Sequence, residues 1–458
     1  MRIIKVWEQE GAAKLNFLPR MNFAGDANKN IQNHAGTTGK MKDSEGNYYY
    51  ISHPNFAYVL AYGFHQIFQL PISVISLQSF NLILNFLSAL FIFLIVLEIS
   101  VKNIKLSLLA YALYVFNPAV MWFQCNTYMS DILVHFLFIS SLYFVLIAFK
   151  NNFKFYSKHS LLLYLFLFIM CLTSWLGYLF ILALIVLLFL KFKWKKEFLV
   201  PALILIIIPC ISAVHFYFQY KYIAGPNALI EQLSDRFSER GIANSLTNGF
   251  ENYGVILKNI ILNHGLYVIL LLVLLGIKFK RKISFLKTDS GFILKLSVFP
   301  VLFCYLFLPD YSGHDFTTLY LTPFVILYIV VLFHELSPAF QLSKTKANLT
   351  LFIFIFLAVG WYYGENLPGE LSIKGKRYDC GKVLGETIKT EAETEIPCLL
   401  ISDTPLGPEV VYYSGRNIFE ARDTVEAKNF LKENGFKRGK LFYETSCASI
   451  EIRDLSSN

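Results

Sequence analysis

Residues 158–196 read KHSLLLYLFLFIMCLTSWLGYLFILALIVLLFLKFKWKK, and the 31 positions from Ser160 to Leu190 hold no Asp, Glu, Lys or Arg. A helix crosses a bilayer with about 20 apolar residues, so the stretch is too long for one crossing. It is interrupted only at Thr173-Ser174-Trp175-Leu176-Gly177, a small polar turn beside a Trp of the kind found at membrane–water interfaces. The pattern predicts two short crossings, over 160–172 and 176–190. Lysines flank the pair, from Lys150 to Lys158 before it and from Lys191 to Lys196 after it, and none lies in the turn between.

The same alternation runs along the rest of the chain. Basic gaps recur at Lys102 to Lys105, Lys278 to Lys287 and Lys344 to Lys346, while the gaps at 125–131, 222–254 and 310–315 are poor in lysine. Cationic loops are retained on the cytoplasmic side, so the lysine-poor gaps face outward. Apolar runs at 75–99, 107–123, 132–148, 160–172, 176–190, 198–217, 260–277, 292–308, 317–335 and 349–363 give ten crossings. The expected fold is an all-α polytopic membrane protein of about ten transmembrane helices with a small C-terminal extracytoplasmic α/β domain. Its parts are an extracytoplasmic first loop (1–73) with an interfacial helix over 53–70, a transmembrane region (74–363) and the α/β tail (364–458). In the tail, helix-like stretches at 381–389 and 424–434 alternate with apolar runs at 398–401 and 440–443.

Composition agrees, with 55% hydrophobic and only 16% charged residues against roughly 25% charged in soluble chains. The net charge of +9 sits mostly in juxtamembrane gaps, which points to membrane lipids as partners and away from nucleic acid. Seven cysteines show no metal-ligand or redox spacing, and Cys380, Cys398 and Cys447 in the tail allow one disulfide at most. The tail has no GxGxxG and no P-loop. Met1 to Glu10 lacks the apolar core of a signal peptide.

The outer gaps share an order of features. Gly11, Pro19 and Gly25 precede Tyr48-Tyr49-Tyr50-Ile51-Ser52-His53-Pro54-Asn55-Phe56; Met129-Ser130-Asp131 opens a span; Gly313-His314-Asp315 is followed by Leu321-Thr322-Pro323. Over about residues 1–335 this order resembles the GT-C superfamily of polytopic glycosyltransferases, in the branch of bacterial dolichyl-phosphate-mannose protein mannosyltransferase relatives and lipid A aminoarabinose transferases. His53-Pro54-Asn55 departs from the double proline of that family, which leaves the substrate open. The family's first span and acidic motif would lie just ahead of Gly11, so the resemblance implies that this sequence lacks them: either a longer reading frame supplies them, the favoured reading, or the protein has lost its principal catalytic carboxylate. It further implies a multi-pass protein of the cell (inner) membrane. Its partners would be a polyprenyl-phosphate sugar donor and a lipid, glycan or protein acceptor at the outer face. The competing readings are a flippase or transporter of a lipid-linked sugar, and a non-catalytic assembly partner. Spans nearly free of midplane charge, with acids gathered in outer loops, favour surface chemistry over transport.

Such a transfer needs a carboxylate to take the acceptor proton and cations to hold the departing phosphate. Asp131, an acid at a membrane boundary, is the first catalytic candidate, against a plain helix-capping aspartate. Asp26 is the nearest acid in the first loop and the second candidate, against a simple loop aspartate. Arg236 and Arg240 are four apart, on one helical face, and suit bidentate phosphate binding or pairing with Asp235 and Glu239. His53, His314 and Asp315 complete the substrate-binding candidates, with backbone bonding or helix capping as their bland roles. His65, His135 and His215 are expected to be packed or interfacial. A divalent cation bridging Asp131 and a first-loop acid is compatible with the chemistry, but no ligand spacing demands it or any other cofactor.

Overall fold

As far as the described residues reach, each of the apolar runs lies on a helix, the one conformation in which a lone segment satisfies its own backbone polar groups in lipid. The computed structural model describes residues 2–31, 40–124, 130–151, 157–193, 195–241, 251–281, 289–340, 353–364, 375–402, 406–446 and 449–457. In chain order the first helices are α1 (Arg2–Glu10), α2 (Phe56–Phe68), α3 (Val74–Ile99), α4 (Ile104–Val115), α5 (Pro118–Gln124) and α6 (Ser130–Lys150). There follow α7 (Lys158–Cys171), α8 (Leu176–Phe192), α9 (Lys196–Ala224), α10 (Pro226–Arg240), α11 (Glu251–Arg281), α12 (Asp289–Phe307), α13 (Pro309–Ser312), α14 (Thr322–Phe340) and α15 (Ile353–Gly364). The last are α16 (Gly375–Glu391), α17 (Pro408–Ser414) and α18 (Thr424–Glu433). The strands are β1 (Lys40–Lys42), β2 (Tyr48–Tyr50), β3 (Cys398–Ser402), β4 (Ile418–Glu420), β5 (Arg438–Ser446) and β6 (Ser449–Ser456). The chain divides into two units, one of residues 1–52, 217–234 and 365–458, the other of residues 53–216 and 235–364.

The second unit is the membrane bundle. Side chains mark where its helices begin: Ser73 accepts from the Ser76 backbone at 3.2 Å before α3, Asn103 from Leu106 at 3.2 Å before α4, and Ser157 from Ser160 at 3.1 Å before α7. Among the described residues six helical runs are long and apolar enough to cross a bilayer: α3, α6, most of α9, α11 and α12, and Asp315–Leu336. A seventh arises if α4 and α5, bent by 56° at the break before Pro118, count as one. Helices α7, α8 and α15 are apolar but shorter. At 1.5 Å per residue α7 and α8 run about 21 and 26 Å, as the interrupted 158–196 stretch predicts. Between them, a Cβ on Gly177 would lie 2.7 Å from the Cys171 backbone nitrogen, so only glycine allows so close a return of the chain. The helices differ in surroundings: 83% of the apolar window of α6 is buried, against 33% for α3. Helix α6 is the centre, packed on α3, α7 and α12, and the outer helices keep apolar side chains such as Phe86 and Leu203 exposed for lipid.

The first unit contains a four-stranded sheet in the order β4-β3-β5-β6, parallel except for the β5–β6 pair. Alternation along β3 sends Leu400 to one face, with Val6, Phe23, Leu384, Val411 and Phe442, and Leu399 to the other, with Ile31, Phe430 and Leu441. The expected tail helices and strands are thus present, and the chain's first residues share their core. Hydropathy puts divisions at 73/74 and 363/364, whereas the contacts gather both ends of the chain into one unit. Asn417 joins them: its Oδ1 accepts from Phe23 N at 3.0 Å, its amide donates to the Ile31 carbonyl at 3.0 Å, and its backbone N–H donates to Asn28 Oδ1 at 2.7 Å. Cys380 is disulfide-bonded, and Cys398 is a free, buried thiol.

Candidate active site

Asp131 is the second residue of α6, where the unpaired N–H groups of the first turn favour a negative charge. It is buried, and a buried carboxylate is tolerated only if its oxygens find donors. Two phenols and a hydroxyl provide them. Tyr311 Oη donates to Oδ1 at 2.7 Å, Tyr320 Oη donates to the same oxygen, and Ser130 Oγ reaches Oδ2 at 3.2 Å. Burial and the Asp131 charge push the Tyr311 phenol well above its ordinary pKa, so it remains a donor.

Tyr311 belongs to the 309–321 connection, which α11 holds in place through three polar side chains at 259, 263 and 264. Asn259 donates to the Gly313 carbonyl at 2.7 Å, and Asn263 donates to Thr318 Oγ1 at 2.9 Å. His264 Nε2 lies 3.0 Å from the Thr318 carbonyl and must donate to it, which leaves Nδ1 to accept from Asn117 at 3.4 Å. Within the connection, Thr317 Oγ1 donates to the Ser312 carbonyl at 2.9 Å, and Ser312 Oγ ties it to α12 by donating to the Cys304 carbonyl at 3.1 Å. The two tyrosines thereby reach Asp131 from a braced loop.

Around the Tyr311 ring stand most of the sequence candidates. The Arg240 guanidinium lies 5.3 Å from its centroid, His53 meets it edge-on at 5.8 Å and His314 at 6.2 Å. Arg240 Nε is buried without a hydrogen-bond partner among the described residues. Arg236 donates to Glu239 at 2.5 Å, the pairing expected of a solvated helix, and its charge also acts on His53. Burial holds the His53 imidazole below its ordinary pKa; Asp131 pulls it up, and Arg236 and His314 push it down. His314 is exposed and stacked on Phe316 at 5.2 Å. The structure therefore brings Asp131, His53, Arg240 and His314 together around one ring, with Arg236 in electrostatic reach.

Asp315 and Asp26 each make a local contact. Asp315 is exposed and its carboxylate accepts from the Phe316 backbone at 2.8 Å, a local capping contact. Asp26 belongs to the first unit, on a short 3-10 turn, and pairs with Lys29 at 2.8 Å, which holds its carboxyl below the ordinary range. Tyr311 and Tyr320 were missed by sequence reasoning, although Tyr311 lies inside the 310–315 outer gap. Among the described residues no group of three or more His, Cys, Asp or Glu side chains is placed to hold a metal ion. His65 and His135 are fully buried, the first bonded to Ser76 at 2.9 Å and the second stacked on Tyr114.

No protein-family model and no curated protein matches the chain. Solved structures match it in fold. One is the archaeal oligosaccharyltransferase AglB from Archaeoglobus fulgidus, in complex with an inhibitory peptide and a dolichol-phosphate. The TM-score is 0.54 and the identity 13%, over 90% of this chain and 64% of that one. Another is ArnT from Cupriavidus metallidurans bound to undecaprenyl phosphate, with TM-score 0.54 and 11% identity over 97% of this chain and 92% of that one. The chain is thus similar in fold to these two solved structures. The A. fulgidus oligosaccharyltransferase complex with Zn and sulfate also matches, with TM-score 0.51 and 13% identity over 86% of this chain and 60% of that one. The chain thus spans less than two thirds of the archaeal enzyme and most of ArnT. Its own long apolar helices make the chain a multi-pass membrane protein.

Proposed function

We propose that the protein is an integral-membrane glycosyltransferase, which moves a sugar from a polyprenyl-phosphate-linked donor to an acceptor at the outer face of the membrane. The observation that carries this reading is a buried carboxylate, Asp131, held by two phenols beside a cluster of Arg240, His53 and His314. Support comes from fold neighbours whose structures contain undecaprenyl phosphate and dolichol-phosphate. The lysine alternation supports ten crossings, with Asp131 and His314 outside and Lys193 and Lys280 inside.

In this mechanism the acceptor hydroxyl gives its proton to Asp131 Oδ2, the less encumbered oxygen. The acceptor oxygen bonds to the anomeric carbon on the face opposite the phosphate, and the sugar configuration inverts. The bond from that carbon to the phosphate oxygen breaks, its electron pair stays with the phosphate, and polyprenyl phosphate departs. Arg240 and Arg236 offset the charge gathering on the leaving group. The Tyr311 and Tyr320 hydroxyls fix the carboxylate without taking its proton-accepting role.

Asp131→Asn keeps the shape and two acceptor sites but loses the charge and the basicity. Membranes containing the wild-type protein should transfer label from one of a panel of polyprenyl-phosphate sugars. Those containing the variant should do so at least about a hundredfold more slowly. Equal transfer by the two, or no turnover of any such donor by the wild type, overturns the reading.

A further inference from the structure

The end of the bundle remote from Asp131 has a cavity of about 550 Å³, formed where α3 and α6 end and α4 and α12 begin, against the later turns of α14. Asp131 and Lys150 stand 19 residues apart on α6, which is about 28 Å along a helix and close to the roughly 30 Å of a hydrocarbon core. The cavity therefore opens at the opposite membrane boundary from the candidate active site. Its walls are apolar, including Leu146, Val330 and Val331, while Glu98, Lys150, His334 and Glu335 bring polar groups.

The charges are not arranged to cancel. Lys150 Nζ donates to the Glu98 carboxylate at 2.9 Å and to the Glu98 carbonyl at 2.8 Å, and Lys102 holds the other oxygen of the same carboxylate. Glu335 is different: its Oε2 is buried and has no hydrogen-bond partner among the described residues. Lys278 attracts it through space without a hydrogen bond to that oxygen. A buried carboxylate oxygen with no donor is costly, and a cavity beside it is where the donor would sit. Val101, which lines the cavity, is 90% exposed, and Ile104 at the start of α4 is 60% exposed, so apolar surface continues outward from the wall.

We infer that this cavity binds the headgroup of an amine-bearing membrane phospholipid, its ammonium on Glu335 and its phosphate beside Lys150 and Lys102. An ammonium supplies three donors where Glu335 lacks one. The phosphate meets cations already positioned by Glu98, and the acyl chains continue along the apolar wall and past Val101. A purely anionic headgroup would leave Glu335 unfilled and add a like charge beside it. The volume falls in the usual range for ligand sites, about 300–1,000 Å³. Nothing in this inference depends on sugar transfer.

The test uses the full chain, purified in mild detergent and washed, with retained lipid measured by native mass spectrometry. Mixed micelles would offer phosphatidylethanolamine and phosphatidylglycerol in equal amounts. The wild type should retain phosphatidylethanolamine in preference. Glu335→Gln should lower that retention roughly tenfold or more, as expected for a lost charge-assisted contact. Val331→Phe, which fills the cavity and leaves every charge in place, should do the same, with thermal unfolding verifying that both variants are folded. Equal retention of the two lipids, retention unchanged in both variants, or displacement by soluble O-phosphoethanolamine at the same concentration would each overturn the proposal.

Discussion

Tyr311 puts its hydroxyl on Asp131 and its ring within reach of Arg240, His53 and His314, so one side chain ties the proposed base to the proposed phosphate site. Tyr311→Phe keeps the ring and removes the donor. It should lower stability by about 1.5–3 kcal/mol, the usual worth of a hydrogen bond to a charged group, read as a drop in Tm. Tyr320→Phe should cost a similar amount, and the double variant less than the sum because both donors serve one oxygen. Arg240→Lys retains the charge and loses the planar fork that can hold phosphate bidentately. Donor kcat/KM should fall roughly ten- to a hundredfold with expression unchanged; equal kinetics in this variant and in Arg236→Lys would leave the pair as a solvated helix face. Asp131 was legible because an acid at the start of an apolar run is unusual enough to notice. Tyr311 was not, being one of 27 tyrosines. Tyr320 lies 189 positions from the carboxylate that it serves, a pairing no local pattern contains.

Gly177 is where two short helices meet, and the break follows from crowding as much as from polarity. Gly177→Ala drives a Cβ to 2.7 Å from the Cys171 backbone, and overpacking of this kind costs typically 1–3 kcal/mol. Gly265→Ala on α11 is the control: its nearest neighbour would be the Ile261 side chain at 3.9 Å, an ordinary contact. Thermal melts should show the first variant clearly destabilised and the second unchanged or slightly stabilised, since Ala outranks Gly in helices. The α7–α8 division was legible because length and a polar turn agreed. The bracing of the 309–321 connection was not. Asn259, Asn263 and His264 are a few polar residues in a long, mostly apolar helix, and their partners include backbone carbonyls, which have no sequence signature. In the tail, α16, α18, β3 and β5 carried readable patterns, whereas the three residues of β4 are too few to show alternation.

Sidedness belongs to the whole molecule. If the lysine alternation orients it, a single cysteine at position 314 should react with an impermeant maleimide in intact cells. One at 280 should react only after the membrane is opened, in a background with the other reactive cysteines replaced. Labelling of position 280 from outside would invert the protein and move the Asp131 site to the other face. The division into apolar helices was legible because bilayer thickness sets a minimum length for every span alike. The grouping of the chain's two ends was not, because it rests on single contacts between distant segments, Asn28 with Asn417 across 389 positions. Those contacts also set a timetable. At about 5–20 residues per second a ribosome needs roughly 20 to 80 s to make the intervening chain. Until then Val6 and Phe23 have no sheet to cover, and every bundle helix has to be synthesised before they do. The segment around Val6 and Phe23 is among the last to be structured, and through that interval it depends on whatever in the cell shields exposed apolar chain.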